Sequence, residues 1–308
     1  MGVLYCLSIR AFSSSCSGVT LIFTMKKLLI TGASGMLGGE ILRRADASMN
    51  AVGACHRNPR EGLLQLDFER PDHVKAAIQE SGFTHIIHCA AIRDPDYCLK
   101  HPEETDMVNV RASRVIAEAA QAAGAVLCYI STDYVFDGNN PPYSESDAPC
   151  PINVYGKSKL TGEQASATVD NHLIVRIPAL YRTDLGDSAN VLTKFAGLFA
   201  DGQTLHLDAE TVRYYTRTED VADAVLFLLE QEHRGVIHVS ADEQTTKSGF
   251  ARMAAVHLGY GPDRVMDAPS PTTGDARPHN SRIDTTLYRS LNGPRMLSPS
   301  EVLPAPGS

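Results

Sequence analysis

The stretch Asn153 to Lys159, "NVYGKSK", sets a phenol and an amine four residues apart. Pro151 and the pattern that follows predict a helix over Asn153 to Ala167, and positions four apart on a helix share one face about 6 Å along the axis. Tyr155 and Lys159 therefore project together. A phenol titrating near 10 is a poor proton-transfer group at neutral pH. An ammonium about 5 Å away, at an effective dielectric of 20, is worth about 3 kcal/mol or roughly two pK units, which would bring the phenol toward the range of general acid–base catalysis. Thr132 ends the apolar run "VLCYIST", where its hydroxyl could hold a carbonyl in reach of Tyr155. Taken alone, a Tyr–Lys pair at this spacing is more often a solvated helix face. The argument for chemistry comes from its company.

That company begins with "LLITGASGMLGG", which places Gly32, Gly35 and Gly38 between an apolar run and a helical pattern. Such a turn lets the backbone approach a pyrophosphate, the helix N-terminus offers free N–H groups, and the last glycine allows close packing. Dinucleotide binding is the expectation. About 20 positions after the glycines, an acid would suit the ribose hydroxyls of NAD and an arginine the extra phosphate of NADP. Here "VGACHRNPR" offers Arg57, with Arg60 nearby and no acid before Glu61. NADP(H) is favoured, with NAD(H) as the alternative cofactor and a solvated basic turn as the bland reading of Arg57. Asp67 in "LDF" could accept from an adenine amino group, and Ala90 and Ala91 in "HCAAI" would leave room for a cofactor. Ordinary strand ends explain these three nearly as well.

The elements that must position these groups alternate along the chain. Strands are expected at Lys27 to Ile30, Ala51 to Cys55, Leu63 to Leu66, His85 to Cys89, Val126 to Ile130, His172 to Arg176 and Val236 to Val239, with helices at Asp72 to Glu80 and Val108 to Ala123. This is an α/β pattern of βαβ units: a doubly wound, Rossmann-like parallel sheet. Residues 25–180 read as the NAD(P)-binding domain, and 181–308 mainly as a small substrate lobe with segments such as "RYYTRTEDVADAVLFLLEQ" returning to the sheet. Residues 1–24 read as an extension ahead of a second start at Met25, disordered or not native, with a targeting segment as the alternative.

A net charge of -8 disfavours nucleic acid and acidic membranes as partners. Small molecules are expected instead, and no stretch reaches the ~18 apolar residues a membrane crossing needs. Seven cysteines without a CxxC pair, among them Cys55, Cys89 and Cys128 in apolar runs, read as reduced core thiols of a cytoplasmic protein. His85 and His88 point to opposite faces of their strand. No metal is expected there.

The ordered blocks "TGASGMLG", "HCAA", "STDYVFDG" and "NVYGKSK" resemble the extended short-chain dehydrogenase/reductase family. The last two are most similar to its dTDP-4-dehydrorhamnose reductase branch. The branch containing the beta regulatory subunit of methionine adenosyltransferase is also similar. The resemblance implies a catalytic Thr132, Tyr155 and Lys159. It carries cofactor contacts onto Gly32, Ser34, Gly35, Met36, Leu37, Gly38, Arg57, Asp67, Phe68, Ala90, Ala91, Tyr155, Lys159 and Ile177. Substrate contacts fall on Thr132, Asp133 and Ala179. The implied activity is NADP(H)-dependent reduction of a 4-keto-6-deoxy sugar nucleotide, with a homodimer compatible. The alternative is a non-catalytic, NADP-binding regulatory subunit. Ala179 stands where the rhamnose enzymes usually carry a tryptophan, "ETVRYYTRTED" replaces their sugar-side "DQxGxPT", and "ARPHNSRID" resembles the regulatory branch.

Overall fold

The computed structural model describes residues 26–45, 49–57 and 59–303, so the extension expected at 1–24 lies outside the described residues. Among the described residues eleven strands occur in chain order: β1 (Leu28–Thr31), β2 (Ala51–Cys55), β3 (Leu64–Gln65), β4 (His85–His88), β5 (Val126–Thr132), β6 (His172–Ile177), β7 (Leu180–Tyr181), β8 (Leu205–Asp208), β9 (Thr216–Arg217), β10 (Gly235–His238) and β11 (Val265–Ala268). Seven of them form one sheet in the order β10-β6-β5-β4-β1-β2-β3, and every pairing in it is parallel. The order reverses between β1 and β4. In such sheets the crevice beyond the carboxyl ends at that reversal is where ligands bind.

The apolar runs of β1 and β5 are buried along their whole length, as strands covered on both faces must be. Alternation sorts their side chains. Leu28, Ile30, Cys128 and Ile130 pack with the helices Met36–Arg44 and Thr218–Glu230 on one face. On the other face Leu29, Ile86 and Leu127 meet Pro71–Ser81 and Ala112–Ala123. The helix Thr218–Glu230 and β10 thus return to the sheet, while Tyr181, Phe195, Phe199, Leu205, Phe250 and Val265 form a separate cluster built around β8 and β11.

Two differences from the sequence expectation touch the site. β5 extends past Ile130 because Ser131 and Thr132 pair with Arg176 and Ile177 of a longer β6. The helix expected over Val108 to Ala123 begins instead as a π-helical turn, Asp106–Arg111, before settling into Ala112–Ala123. Such bulges reset which side chains face inward. Here the buried residue of the π turn is Asn109.

Candidate active site

β1 delivers the chain into the glycine turn at Gly32, whose φ of +68° suits glycine. A Cβ there would sit 2.7 Å from the Ala90 backbone nitrogen, and one on Gly38 would sit 2.4 Å from the Gly32 carbonyl oxygen. Gly35 is the N-cap of Met36–Arg44, with no side chain capping the helix and no acid in its first turn. The open N–H groups and partial positive charge at this end suit an anion such as a pyrophosphate. The turn floors a cleft of about 490 Å³, into which Gly32, Gly35, Met36, Leu37, Gly38 and Ala91 face. Thr132, Asp133, Tyr155, Lys159, Ile177 and Ala179 line the same cleft.

The helix Val154–Ser166 brings Tyr155 and Lys159 there. Asn153 caps it by accepting from the Gly156 N–H at 2.6 Å. Two glycines let it lie unusually close to the sheet: a Cβ on Gly156 would meet the Tyr134 carbonyl oxygen at 2.2 Å, and one on Gly162 the Tyr129 hydroxyl at 2.1 Å. Thr132 is 5% exposed. Its hydroxyl accepts from the Tyr134 N–H at 3.2 Å and donates to Asp133 Oδ1 at 3.1 Å. Asp133 Oδ2 in turn accepts from Ser281 at 2.5 Å.

The electrostatics correct one expectation. Burial raises the Tyr155 phenol, a hydrogen bond with Thr132 opposes the rise, and Asp133 adds to it. Lys159 does not bring the phenol down as its spacing suggested, because the lysine is itself enclosed. Burial pushes its amine to about 7, against the opposing pull of Glu163, and its Nζ rests 4.0 Å from the centroid of the Tyr129 ring. Asp133 is pushed up to about 6 by burial, resisted by its Ser281 hydrogen bond and by Arg213.

Five residues expected at the cofactor do not line the cleft. Ser34 sits half-buried in the turn, and Ala90 backs onto Gly32. Phe68 is a core side chain, 3% exposed and edge-on to His88. Asp67 accepts from the Glu69 N–H at 3.0 Å. Arg57 is held by Glu104 and, at 3.2 Å, by Glu69. His88 bonds to Thr31 at 2.6 Å and Ser113 at 3.1 Å. Of the expected core thiols, Cys55 and Cys128 are buried, while Cys89 is half-buried and faces the cleft.

Sequence reasoning missed other residues around the cleft. Asn109 bridges the sheet edge and the helix Val154–Ser166: it accepts from the Ile92 N–H at 2.8 Å and donates to the Ile92 carbonyl and to Ser158, each at 2.9 Å. An asparagine inside "MVNVRASRVI" was the only hint. Glu163 and Arg176 form a buried pair behind Lys159. Among the described residues no group of three or more His, Cys, Asp and Glu could hold a metal ion, and no helix is long and apolar enough to cross a membrane.

Residues 25–297 match the family described as RmlD substrate binding domain. The chain is 35% identical over 277 residues to the methionine adenosyltransferase 2 subunit beta of Rattus norvegicus, covering 86% of this chain and 82% of the relative. It is 31% identical over 272 residues to the "Probable low-salt glycan biosynthesis reductase Agl14" of Haloferax volcanii, covering 83% and 89%. Among solved structures, the dTDP-4-dehydrorhamnose reductase from Bacillus anthracis in complex with NADP superposes with a TM-score of 0.80 at 27% identity, covering 91% of this chain and 98% of that one.

Proposed function

The chain belongs to the RmlD substrate binding domain family, and on that premise we propose that it is an NADP(H)-dependent reductase of a 4-keto-6-deoxy sugar nucleotide, dTDP-4-dehydro-L-rhamnose being the first substrate to try. The observation that carries this reading is the convergence of Thr132, Tyr155 and Lys159 on the cleft floored by the glycine turn. The turn fits a dinucleotide, because the close approaches at Gly32 and Gly38 leave no room for a side chain and the helix end above them is uncapped. Gly35, Met36 and Leu37 would lie along its pyrophosphate. A bound NADPH would supply the hydride to the carbonyl carbon.

The chain's own residues would do the rest. Tyr155, kept protonated by its burial, hands its proton to the carbonyl oxygen as negative charge develops there. Lys159 holds the ribose hydroxyls and, when protonated, stabilises the phenolate left behind. Thr132, whose side chain lines the same cleft, orients the carbonyl toward Tyr155. The region 181–308 supplies the sugar-nucleotide side, where Lys194 and Tyr215 face the cleft together with Ala179.

A second reading is favoured by the 35% identity to a methionine adenosyltransferase subunit and by the small Ala179: a regulatory subunit that binds the dinucleotide without turnover. NADPH oxidation measured with dTDP-4-dehydrorhamnose separates the two. Turnover supports the reductase. Inactivity across a panel of keto sugar nucleotides, with NADPH binding intact, supports the regulatory subunit.

A further inference from the structure

Arg57 stands two residues beyond β2, beside the glycine turn that Ala33 ties to β2 through the Ala54 carbonyl at 3.0 Å. It is not waiting with an unused charge. Glu104, from 47 residues further along the chain, binds its Nη1, and Glu69 accepts from its Nη2 at 3.2 Å. Glu104 is no loose surface acid either. Its other oxygen accepts from the Tyr97 hydroxyl at 2.7 Å, and the Tyr97 ring is stacked on His101 with centroids 4.1 Å apart. The side chain of Glu104 is 30% exposed against 55% for Glu69, so it is the better held of the two.

We propose that Glu104 is a specificity-determining residue that weakens discrimination in favour of NADPH over NADH by occupying Arg57. The inference rests on the dinucleotide reading above and deepens it. A 2′-phosphate brings about two negative charges to Arg57. It must either displace Glu104 or sit beside it as a like charge, and like-charge juxtaposition is what suppresses a ligand most effectively. A 2′-hydroxyl brings no charge and meets no such opposition. Glu104 therefore acts on one cofactor and spares the other, which a residue that merely holds the fold would not do.

Glu104→Gln keeps the size of the side chain and removes its charge: the amide oxygen can still accept from Arg57, while the amide NH2 can donate to the Tyr97 hydroxyl oxygen in place of the bond that Tyr97 now donates. Titration of the full chain with NADPH and with NADH, followed by nicotinamide fluorescence, reads the outcome. The variant should bind NADPH about three- to fivefold more tightly, the size an exposed charge pair carries, with NADH changed less than about twofold. In 1 M NaCl, where screening acts within about 3 Å, the gain should largely vanish. In an Arg57→Met background, where no guanidinium remains to be freed and only the direct like-charge repulsion is relieved, the gain should be smaller. Equal shifts for the two dinucleotides, or none, overturn the proposal while leaving the dinucleotide reading intact. Failure of the unaltered chain to bind either one overturns both.

Discussion

Arg176 holds the carboxylate of Glu163 at two points, Nε at 2.9 Å and Nη2 at 2.8 Å, with neither side chain more than 5% exposed. Ser131 donates to the same carboxylate at 2.5 Å. The pair bolts the helix of Tyr155 and Lys159 to β5 and β6, one helical turn behind the lysine.

Removing one partner of a buried pair leaves a charge with no compensation, which costs about 3–5 kcal/mol. Arg176→Met should lose stability by that amount in urea denaturation. The double change Arg176→Met with Glu163→Gln should recover much of it, since the orphaned charge is then gone. If the single change costs no more than the double, the pair carries no coupling and the helix is held by packing alone.

How far such features could be read beforehand depends on whether they are local. The glycine turn, the apolar runs of β1 and β5 and the Tyr155–Lys159 spacing are each written within a dozen residues, and all appear where expected. Asn109 was hidden because a π turn shifts its register away from the 3.6-residue pattern. Glu163 and Arg176 come from a helix and a strand whose contact depends on Gly162 having no side chain. The misjudged phenol has the same cause. Spacing placed a charge near Tyr155, but only packing reveals how deeply both groups are enclosed, and burial then outweighs the pairing. Arg57 likewise looked unengaged in "CHRNPR", since Glu104 is far along the chain.

Lys159 carries an amine whose burial costs stability. Its amine is lowered from 10.5 to about 7 by burial. Between those values the unfolded chain keeps a proton that the folded chain has shed, so the contribution of this residue to stability rises with pH over that window. Lys159→Met should raise the melting temperature at pH 7 by about 2–4 °C, corresponding to about 1 kcal/mol in a chain of this size, and flatten the pH dependence between about 7 and 10. Turnover should be lost. Calorimetry across that range checks it, and a fall in melting temperature would mean the Tyr129 contact outweighs the cost of burial.

Two helical glycines should respond in opposite directions to the same change. Gly156→Ala drives a Cβ into the Tyr134 carbonyl oxygen, 2.2 Å away. The helix must back off from the turn after Thr132, at a cost of about 1–3 kcal/mol and with a fall in turnover. Gly197→Ala, in the helix Val191–Ala200 with nothing within 4 Å of the added atom, should gain about 0.5–1 kcal/mol. Denaturation curves of the two variants should therefore move apart, and a parallel gain would show that propensity and not packing governs both.

Tyr155→Phe tests the proposed chemistry most directly. It deletes the phenolic proton and preserves the ring that stands edge-on to Tyr134, with centroids 6.0 Å apart. The glycine turn and Lys159 are untouched, so NADPH should bind with nearly unchanged affinity. Turnover should fall at least ~100-fold, the loss typical of a missing general acid, and kcat should carry that fall while KM stays nearly constant. Binding and catalysis would then have been separated at a single oxygen atom. In a regulatory subunit the same change leaves dinucleotide and partner binding as they were, because there is no turnover to lose. A variant that reduces its substrate at the full rate would take Tyr155 out of the mechanism and leave Asp133, whose carboxyl is raised to about 6, as the proton source to examine next.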